Sequence, residues 1–227
     1  MAKDRFGCPN KQKSRETLWK TLSRNLHPPL ARILIFPGSD RYELDTVLKL
    51  GFRPENIYLV EKNPAVKATF TRRASKGVLP PPENFLRMLA SDAAKVLKKR
   101  GVTLDASHLD FCSHCESGEM FSETQKFFKT GIVKNNGLVA LTVLAGREQD
   151  FDAIKGNAHS FGVKGGQAER FKQFGKSDQG RLYRIWKAVG MELHAVDFGR
   201  YHNTHTNSPM LWSVFKVNKL NEHIQKS

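Results

Sequence analysis

The sequence predicts an α/β fold: a single seven-stranded, mostly parallel sheet with helices on both faces and a C-terminal antiparallel hairpin. Short apolar runs alternate with segments of helical periodicity over most of the chain, a pattern that favours parallel strands joined by helices. A glycine follows four of the predicted helices, where a helix often ends in a left-handed residue. The last two apolar runs are separated by only YHNTHTN, which is too short for a helical crossover, so they should pair as a hairpin.

The elements follow one another in a regular order. A basic helix over residues 15–26 comes first, and the prolines that follow His27 end it. The predicted strands cover residues 32–37, 57–61, 85–90, 104–111, 137–145, 191–199 and 209–217. The predicted helices cover residues 41–51, 64–75, 91–100, 118–130 and 179–189. We therefore predict a basic N-terminal extension over 1–30 and one domain over 31–227, with a basic insertion at about 146–180.

Composition limits the possible locations and partners of the protein. A chain of 227 residues suits one domain, and no apolar run approaches the roughly 20 residues that cross a bilayer. Three cysteines and a polar N-terminus predict a cytoplasmic protein without a disulfide framework. The net charge of +15 predicts a polyanionic partner, and nucleic acid is the first candidate. The alternative is a basic surface that serves solubility only, and the sequence does not indicate an oligomeric state.

The basic side chains are concentrated in two segments. Residues 1–30 hold seven Lys or Arg against two acidic residues, and residues 151–190 hold eight against three. The candidate nucleic-acid-binding residues are Lys11, Lys13, Arg15, Lys164, Arg170, Lys172, Lys176 and Arg181. Phe161, Phe171 and Phe174 are interleaved with the second group and could stack on unpaired bases. The alternative is a surface loop whose phenylalanines fold onto the core.

The most informative segment is a strand, turn, helix and strand near the start of the predicted sheet. The apolar run Ile33–Phe36 ends at a turn that contains Gly38, and the run Ile57–Val60 ends at Glu61. In open α/β sheets, ligands bind at the carboxyl ends of the strands. A carboxylate at the tip of the second strand is well placed to accept both hydroxyl protons of a ribose. The segment therefore predicts a nucleoside cofactor.

The whole pattern resembles the class I S-adenosylmethionine-dependent methyltransferases, in particular the compact, divergent ones of phages and mobile elements. The resemblance covers roughly Arg32 to Asn218 and rests on the element order and on acidic residues at expected places. The family's first loop usually carries an acidic residue and two or three glycines, whereas IFPGSDRYE contains only Gly38. The resemblance implies S-adenosylmethionine as the cofactor.

It also implies which residues hold that cofactor. Gly38 would lie against the methionine part, Asp40 or Glu43 would hold the amino group, Glu61 would bind the ribose and Asp92 would receive the adenine amino group. The full predicted set is Pro37, Gly38, Asp40, Glu43, Glu61, Lys62, Asp92, Ala93, Asp110 and Phe111. Three of these carboxylates have a simpler alternative, because Asp40, Glu43 and Asp92 could instead be helix caps or first-turn residues. Ser91 is a second candidate for the cap that Asp92 would form.

The end of the fourth strand carries the predicted catalytic residue. The resemblance implies that Asp110 faces the methyl group and the acceptor, with Phe111 beside the pocket. Residues 110–113 read Asp-Phe-Cys-Ser rather than the Asp or Asn, Pro-Pro and aromatic residue of amino-methyltransferases. Base C5 methylation needs a Pro-Cys nucleophile, whereas this chain has Cys8-Pro9. The acceptor atom is therefore undetermined, and RNA is slightly favoured over DNA as the substrate.

Two further interpretations compete with a methyltransferase. One is a non-catalytic nucleic-acid-binding module on the same fold, which the sparse glycine loop favours and the acidic residues disfavour. The other is a nicotinamide dehydrogenase, which the absent G-x-G-x-x-G motif and the terminal hairpin disfavour. A separate possibility is a metal site at Cys112 and Cys115, with His202 and His205 as further ligands. A single Cys-x-x-Cys pair is weak support, so we predict no metal.

Overall fold

The computed structural model describes residues 8–38, 41–66, 68, 70, 78–114, 118–144, 191–203 and 208–219. The helices are α1 (Pro9–Arg24), α2 (Tyr42–Lys49), α3 (Ala90–Lys99) and α4 (Gly118–Lys129). The strands are β1 (Ile33–Ile35), β2 (Ile57–Val60), β3 (Phe85–Leu86), β4 (Leu104–His114), β5 (Val133–Leu144), β6 (Met191–Asn203) and β7 (Ser208–Lys219). Residues 64–66 are also helical, whereas the predicted helix 179–189 lies outside the described residues.

The seven strands form one sheet in the order β3-β2-β1-β4-β5-β7-β6. Strands β1 to β5 pair in parallel, and β7 pairs antiparallel with both β5 and β6. The predicted fold class is therefore confirmed, including the C-terminal hairpin. The main differences are at strand ends: β3 has two residues instead of six, and β6 and β7 are longer than predicted. Strand β3 lies at the edge of the sheet and ends at Leu86. Since α3 begins at Ala90, only a short turn separates this strand from this helix.

Each face of the sheet has its own apolar core. Side chains of successive strand residues point to opposite faces, so Ile33 and Ile35 pack on one side and Leu34 on the other. Helices α1 and α2 cover the first side, where Trp19 is fully buried. Helices α3 and α4 cover the second side, where Phe127 is fully buried.

The N-terminal helix is part of this packing, which corrects the view of residues 1–30 as an extension that precedes the domain. Helix α1 starts at Pro9, six residues before the predicted start, and proline is well suited to a first helical position. Leu18, Trp19 and Leu22 of this helix are fully buried against the sheet. Its N-terminus is also held by the Asn10 side chain, which donates to the His202 carbonyl at 3.1 Å.

Candidate functional site

The loop after β1 opens the carboxyl edge of the sheet. Pro37 and Gly38 are buried, and Gly38 has a φ of 61°, a conformation that a residue without a Cβ adopts readily. Asp40 lies outside the described residues. Arg41 precedes α2, and its guanidinium donates to Asp45 at 2.7 Å and to the Val78 carbonyl at 2.9 Å. The loop is thus attached to the segment that leads to β3.

Glu61 follows β2 at the same edge and is fixed by its backbone and its side chain. Its N–H donates to the Leu86 carbonyl at 3.1 Å, and its Oε1 accepts the Asn63 N–H at 2.7 Å. Asn63 in turn accepts the Ala65 N–H at 2.9 Å, which confirms Asn63 as a cap for the turn that follows. Glu61 is partly exposed and Lys62 is exposed. This position is compatible with the ribose-binding role, which stays a prediction.

The start of α3 differs from the expected arrangement. The helix begins at Ala90, and its N-terminus is capped neither by Asp92 nor by Ser91. Instead, Ser91 donates its N–H and its hydroxyl to the Glu123 carboxylate of α4, at 2.7 and 2.9 Å. Asp92 is exposed and pairs with Lys95 at 2.9 Å, so its adenine role stays a prediction. Ala93 packs its methyl group in the core instead of facing the edge.

The predicted catalytic residue lies in a buried ionic cluster. The Asp110 side chain is 4% exposed, and its Oδ2 lies 3.0 Å from Lys11 Nζ and 2.9 Å from Arg15 Nη2. Its Oδ1 accepts no hydrogen bond from any residue that the structure describes. Lys11 and Arg15 were predicted to contact nucleic acid, and this is wrong for the conformation seen here. The face of α1 that bears them packs on the sheet, so both cations are buried against a carboxylate.

Glu43 occupies the other half of the cluster and is fully buried. Its Oε1 accepts the indole N–H of Trp19 at 2.9 Å and contacts His108 Nδ1, while its Oε2 lies 3.7 Å from Arg15 Nε. The Nε2 of His108 is 2.9 Å from the Thr142 hydroxyl. These partners surround the carboxylate, so Glu43 is enclosed by protein and does not reach a cofactor amino group, which corrects that prediction. We call this set the buried ionic cluster, and its members are Lys11, Arg15, Glu43, His108 and Asp110.

Charge inside the cluster determines its protonation. Burial alone would raise the pKa of Asp110, but the adjacent charges of Lys11 and Arg15 outweigh burial and hold that pKa well below its ordinary value. Burial also acts to raise the pKa of Glu43, and the charge and hydrogen bond of His108 lower it overall. Both carboxylates are therefore ionised at neutral pH. Asp110 is a poor proton acceptor in this setting, which argues against the general-base part of its predicted role.

The remaining predicted residues are divided between described and undescribed segments. Phe111 packs edge-to-face on Phe36, with ring centroids 5.7 Å apart, and so joins the ends of β4 and β1. Lys13 is exposed on α1. Lys164, Arg170, Lys172, Lys176 and Arg181 all lie outside the described residues, as does Cys115. Within the part of the chain that the structure describes, no group of three His, Cys, Asp or Glu side chains could hold a metal ion.

Sequence reasoning missed the buried ionic cluster, although its signal was present. Lys11, Arg15 and Trp19 are spaced four residues apart, so they share one face of a helix that begins at Pro9. His108 and Asp110 are two residues apart on β4 and therefore point to the same side of the sheet. A helix predicted from residue 15 omits the first two turns, where the buried cation Lys11 lies.

Comparison with known proteins identifies the fold. No family model and no curated protein matches the chain. The N-methyltransferase NodS from Bradyrhizobium japonicum WM9 is 8% identical with a TM-score of 0.54, covering 94% of this chain and 99% of that one. NodS is also matched in complex with S-adenosyl-l-homocysteine. The precorrin-6y C5,15-methyltransferase from Geobacter metallireducens GS-15 is 12% identical with a TM-score of 0.53, covering 92% and 91%.

A third structure, NSun6 from Pyrococcus horikoshii with SFG, is 10% identical with a TM-score of 0.52, covering 89% of this chain and 51% of that one. These neighbours are class I S-adenosylmethionine-dependent methyltransferases, and this chain has their Rossmann-like fold. At such low identity the similarity extends to the fold alone. Among the described residues, no helix combines the length and the apolar character needed to cross a membrane.

Proposed function

We propose that this protein transfers a methyl group from S-adenosylmethionine to a nucleic acid, with RNA ahead of DNA. The observation that carries the proposal is the partly exposed carboxylate of Glu61 at the tip of β2, beside β1 and its Gly38 turn. In a sheet of the order β3-β2-β1-β4-β5-β7-β6, that edge is where a nucleoside ligand binds. The compact chain and its single-glycine loop fit the divergent enzymes of phages and mobile elements, acting in the cytoplasm.

The cofactor brings the activated methyl group, so the protein mainly has to align the reactants. Glu61 would accept hydrogen bonds from the ribose hydroxyls, and Asp92 would accept one from the adenine amino group. The Gly38 turn would lie against the methionine part. A lone pair of the acceptor forms a bond to the methyl carbon, and the carbon–sulfur bond breaks with its electrons left on sulfur. The products are the methylated acceptor and S-adenosylhomocysteine, and the acceptor releases a proton where it had one.

Asp110 has a different part in this proposal from a general base. Its Oδ2 is bound to two cations of α1, while its Oδ1 has no partner among the described residues. An ionised oxygen of this kind can accept a hydrogen bond from an N–H or O–H of the acceptor without taking its proton. We therefore propose that Asp110 orients the acceptor and that water takes up the proton that the acceptor releases.

Nucleic acid is the proposed substrate because of charge. The net charge of +15 is large for a chain of 227 residues. Lys13 is exposed, and Lys164, Arg170, Lys172, Lys176 and Arg181 would neutralise phosphates from the insertion. A second candidate function is a binding module without catalysis, which the single-glycine loop and the buried, ion-paired Asp110 both favour.

The decisive experiment measures cofactor binding by calorimetry for the wild type and for Glu61→Ala. Loss of hydrogen bonds to a charged group costs about 1.5–3 kcal/mol, or roughly tenfold or more in affinity. Glu55→Ala is the matched control, because Glu55 is exposed just before the amino end of the same strand. Equal affinity in the two variants would overturn the assignment of Glu61.

The same titration separates the two candidate functions. A wild-type protein that binds nucleic acid and does not bind S-adenosylmethionine is a binding module. If the cofactor binds, incubation with methyl-labelled S-adenosylmethionine and separate pools of RNA and DNA identifies the substrate. Label in neither pool would exclude the proposed nucleic-acid transfer.

A further inference from the structure

The outer side of α3 and α4 carries a group of exposed cations that none of the roles above uses. We call it the α3–α4 basic face, and its members are Lys98, Lys99, Arg100, Lys126 and Lys129. The two helices pack on each other, and the Lys98 ammonium donates a hydrogen bond to the Thr130 carbonyl just after α4. The five cations therefore lie around the joined C-terminal ends of two helices.

The charge of this face is not neutralised by neighbouring acids. Lys98 and Arg100 donate to carbonyl oxygens of Thr130 and Glu83, which carry no net charge. Of the carboxylates on these helices that the structure describes, Asp92 pairs with Lys95 near the start of α3 and Glu123 is buried against Ser91. Among the described residues, no carboxylate forms an ion pair with any of the five cations.

Helix capping accounts for only part of this charge. A cation at a helix C-terminus is favourable because it offsets the partial negative charge of the last carbonyls. Lys98 donates to the Thr130 carbonyl just after α4, and Arg100 donates to the Glu83 carbonyl just before β3. Lys99, Lys126 and Lys129 make no hydrogen bond and no ion pair with a described residue, yet they add three exposed charges in the last turns of two helices that pack on each other. A surface with such an excess of one sign of charge attracts a polyanion.

The position of the face defines what it can do. Helix α3 follows β3 and precedes β4, so it runs from the carboxyl edge of the sheet, where Glu61 lies, to the opposite edge. Ten helical residues span about 15 Å. The α3–α4 basic face is therefore too far from that edge to hold the reacting nucleotide itself.

We propose that the α3–α4 basic face binds the phosphate backbone of the nucleic-acid substrate at a site separate from the methyl-transfer edge. This inference rests on the nucleic-acid partner of the proposed function. At about 3.4 Å for each step along a strand, 15 Å corresponds to roughly four or five nucleotides. A strand of about 20 nucleotides can reach both places, whereas four nucleotides have only three such steps, about 10 Å, and cannot.

The test uses the full chain with Lys99→Gln, Lys126→Gln and Lys129→Gln combined, which leaves the carbonyl contacts of Lys98 and Arg100 in place. The matched control removes the same charge from exposed positions outside α3 and α4, with Lys20→Gln, Lys49→Gln and Arg53→Gln. Binding of an unstructured 20-nucleotide RNA is measured over a range of salt concentrations, together with a 4-nucleotide RNA.

For the α3–α4 variant we expect the log–log salt slope to become shallower by about two units, because each single-strand phosphate contact contributes roughly 0.7. Affinity for the 20-nucleotide RNA should fall at least about tenfold at 0.1 M salt, with the control variant and S-adenosylmethionine binding unchanged. The 4-nucleotide RNA should lose less affinity than the 20-nucleotide RNA.

Other outcomes would overturn the inference in distinguishable ways. Equal salt slopes in the α3–α4 variant and the control would show that the α3–α4 basic face does not bind phosphates. The proposal of a nucleic-acid partner would still stand. If the wild type binds neither RNA nor DNA, both the phosphate-binding role of the α3–α4 basic face and the proposed nucleic-acid partner are excluded. Vesicles of phosphatidylcholine with 30% phosphatidylserine form the last arm, and loss of vesicle binding with retained RNA binding would reassign the face to a membrane.

Discussion

The two helical layers of this protein place their charges in opposite ways. Under α1 and α2, the buried ionic cluster holds two cations and two carboxylates inside the protein. Under α3 and α4, the buried polar side chains that the structure describes include Ser91, Glu123 and Thr124 but no cation, and the described basic residues of these two helices lie on the surface. A net charge of +15 therefore does not reveal which basic residues are accessible to a partner. Lys11 and Lys99 contribute equally to that number and differ completely in access.

Burial of charge on the α1 side has a structural consequence. Lys11 and Arg15 of α1, Glu43 of α2 and Asp110 of β4 meet in one place, so the cluster joins three elements. Removing two ions from water is costly, and an ion pair inside a protein only roughly compensates that cost. The cluster is therefore better understood as fixing where α1 sits on the sheet than as a source of stability.

The largest expected effect comes from breaking the cluster with Asp110→Asn. The substitution keeps the shape and leaves Lys11 and Arg15 buried without their shared carboxylate, so it should cost about 3–5 kcal/mol of unfolding free energy. Urea denaturation provides the measurement. Lys99→Met on the opposite layer is the control, and an exposed change of that kind should stay within about 0.5 kcal/mol.

A small effect of Asp110→Asn would be informative as well. A loss below about 1 kcal/mol is the size expected of a solvated ion pair. Water would then reach the cluster, which would favour the proposed orienting contact between Asp110 and an acceptor. In that case Asp110→Ala should remove methyl transfer while leaving S-adenosylmethionine binding nearly intact.

The second prediction concerns acid. The folded-state pKa of Asp110 is depressed, so its contribution to stability is complete above its unfolded pKa of about 3.9 and is lost as pH falls toward the folded value. Glu43 behaves in the same direction. The stability gap between wild type and Asp110→Asn should therefore shrink by about 2 kcal/mol between pH 5 and pH 2.

Denaturant unfolding at a series of pH values measures this gap. Lys99→Met serves again as the control, because its curve should run parallel to the wild type as pH falls. A gap that stays constant down to pH 2 would show that Asp110 is not stabilised by its cations in the folded state. A gap that widens would reverse the sign expected for a carboxylate with a depressed pKa.

The sequence predicts the sheet better than it predicts the charged residues, for a physical reason. Apolar runs and glycines after helices reflect local backbone preferences, so the seven strands along the chain and the hairpin followed from them. The positions of Glu61 and Asn63 also followed, since both lie at strand or turn ends defined by the local pattern. Whether a lysine is exposed depends on which distant element covers it, and that information is not local.

Three side chains show this limit. Lys11 and Arg15 look like solvated cations until α1 is placed on β4, because their partner Asp110 is about 95 residues away in sequence. Ser91 looks like the N-cap of α3, yet its N–H and hydroxyl bond to Glu123, 32 residues further along the chain. In each case a long-range contact overrides a good local explanation.

Substitution of Glu123 gives the smallest of the expected effects and tests the contact between α3 and α4. Its carboxylate accepts both donors of Ser91, so Glu123→Ala removes the side chain that caps α3 and should cost about 1–2 kcal/mol by urea denaturation. Glu123→Gln keeps one carbonyl oxygen as an acceptor and should lose roughly half as much. No loss in either variant would mean that water caps the helix equally well. Because Glu123 forms no ion pair with a cation of the described chain, neither variant should alter the salt slope of RNA binding.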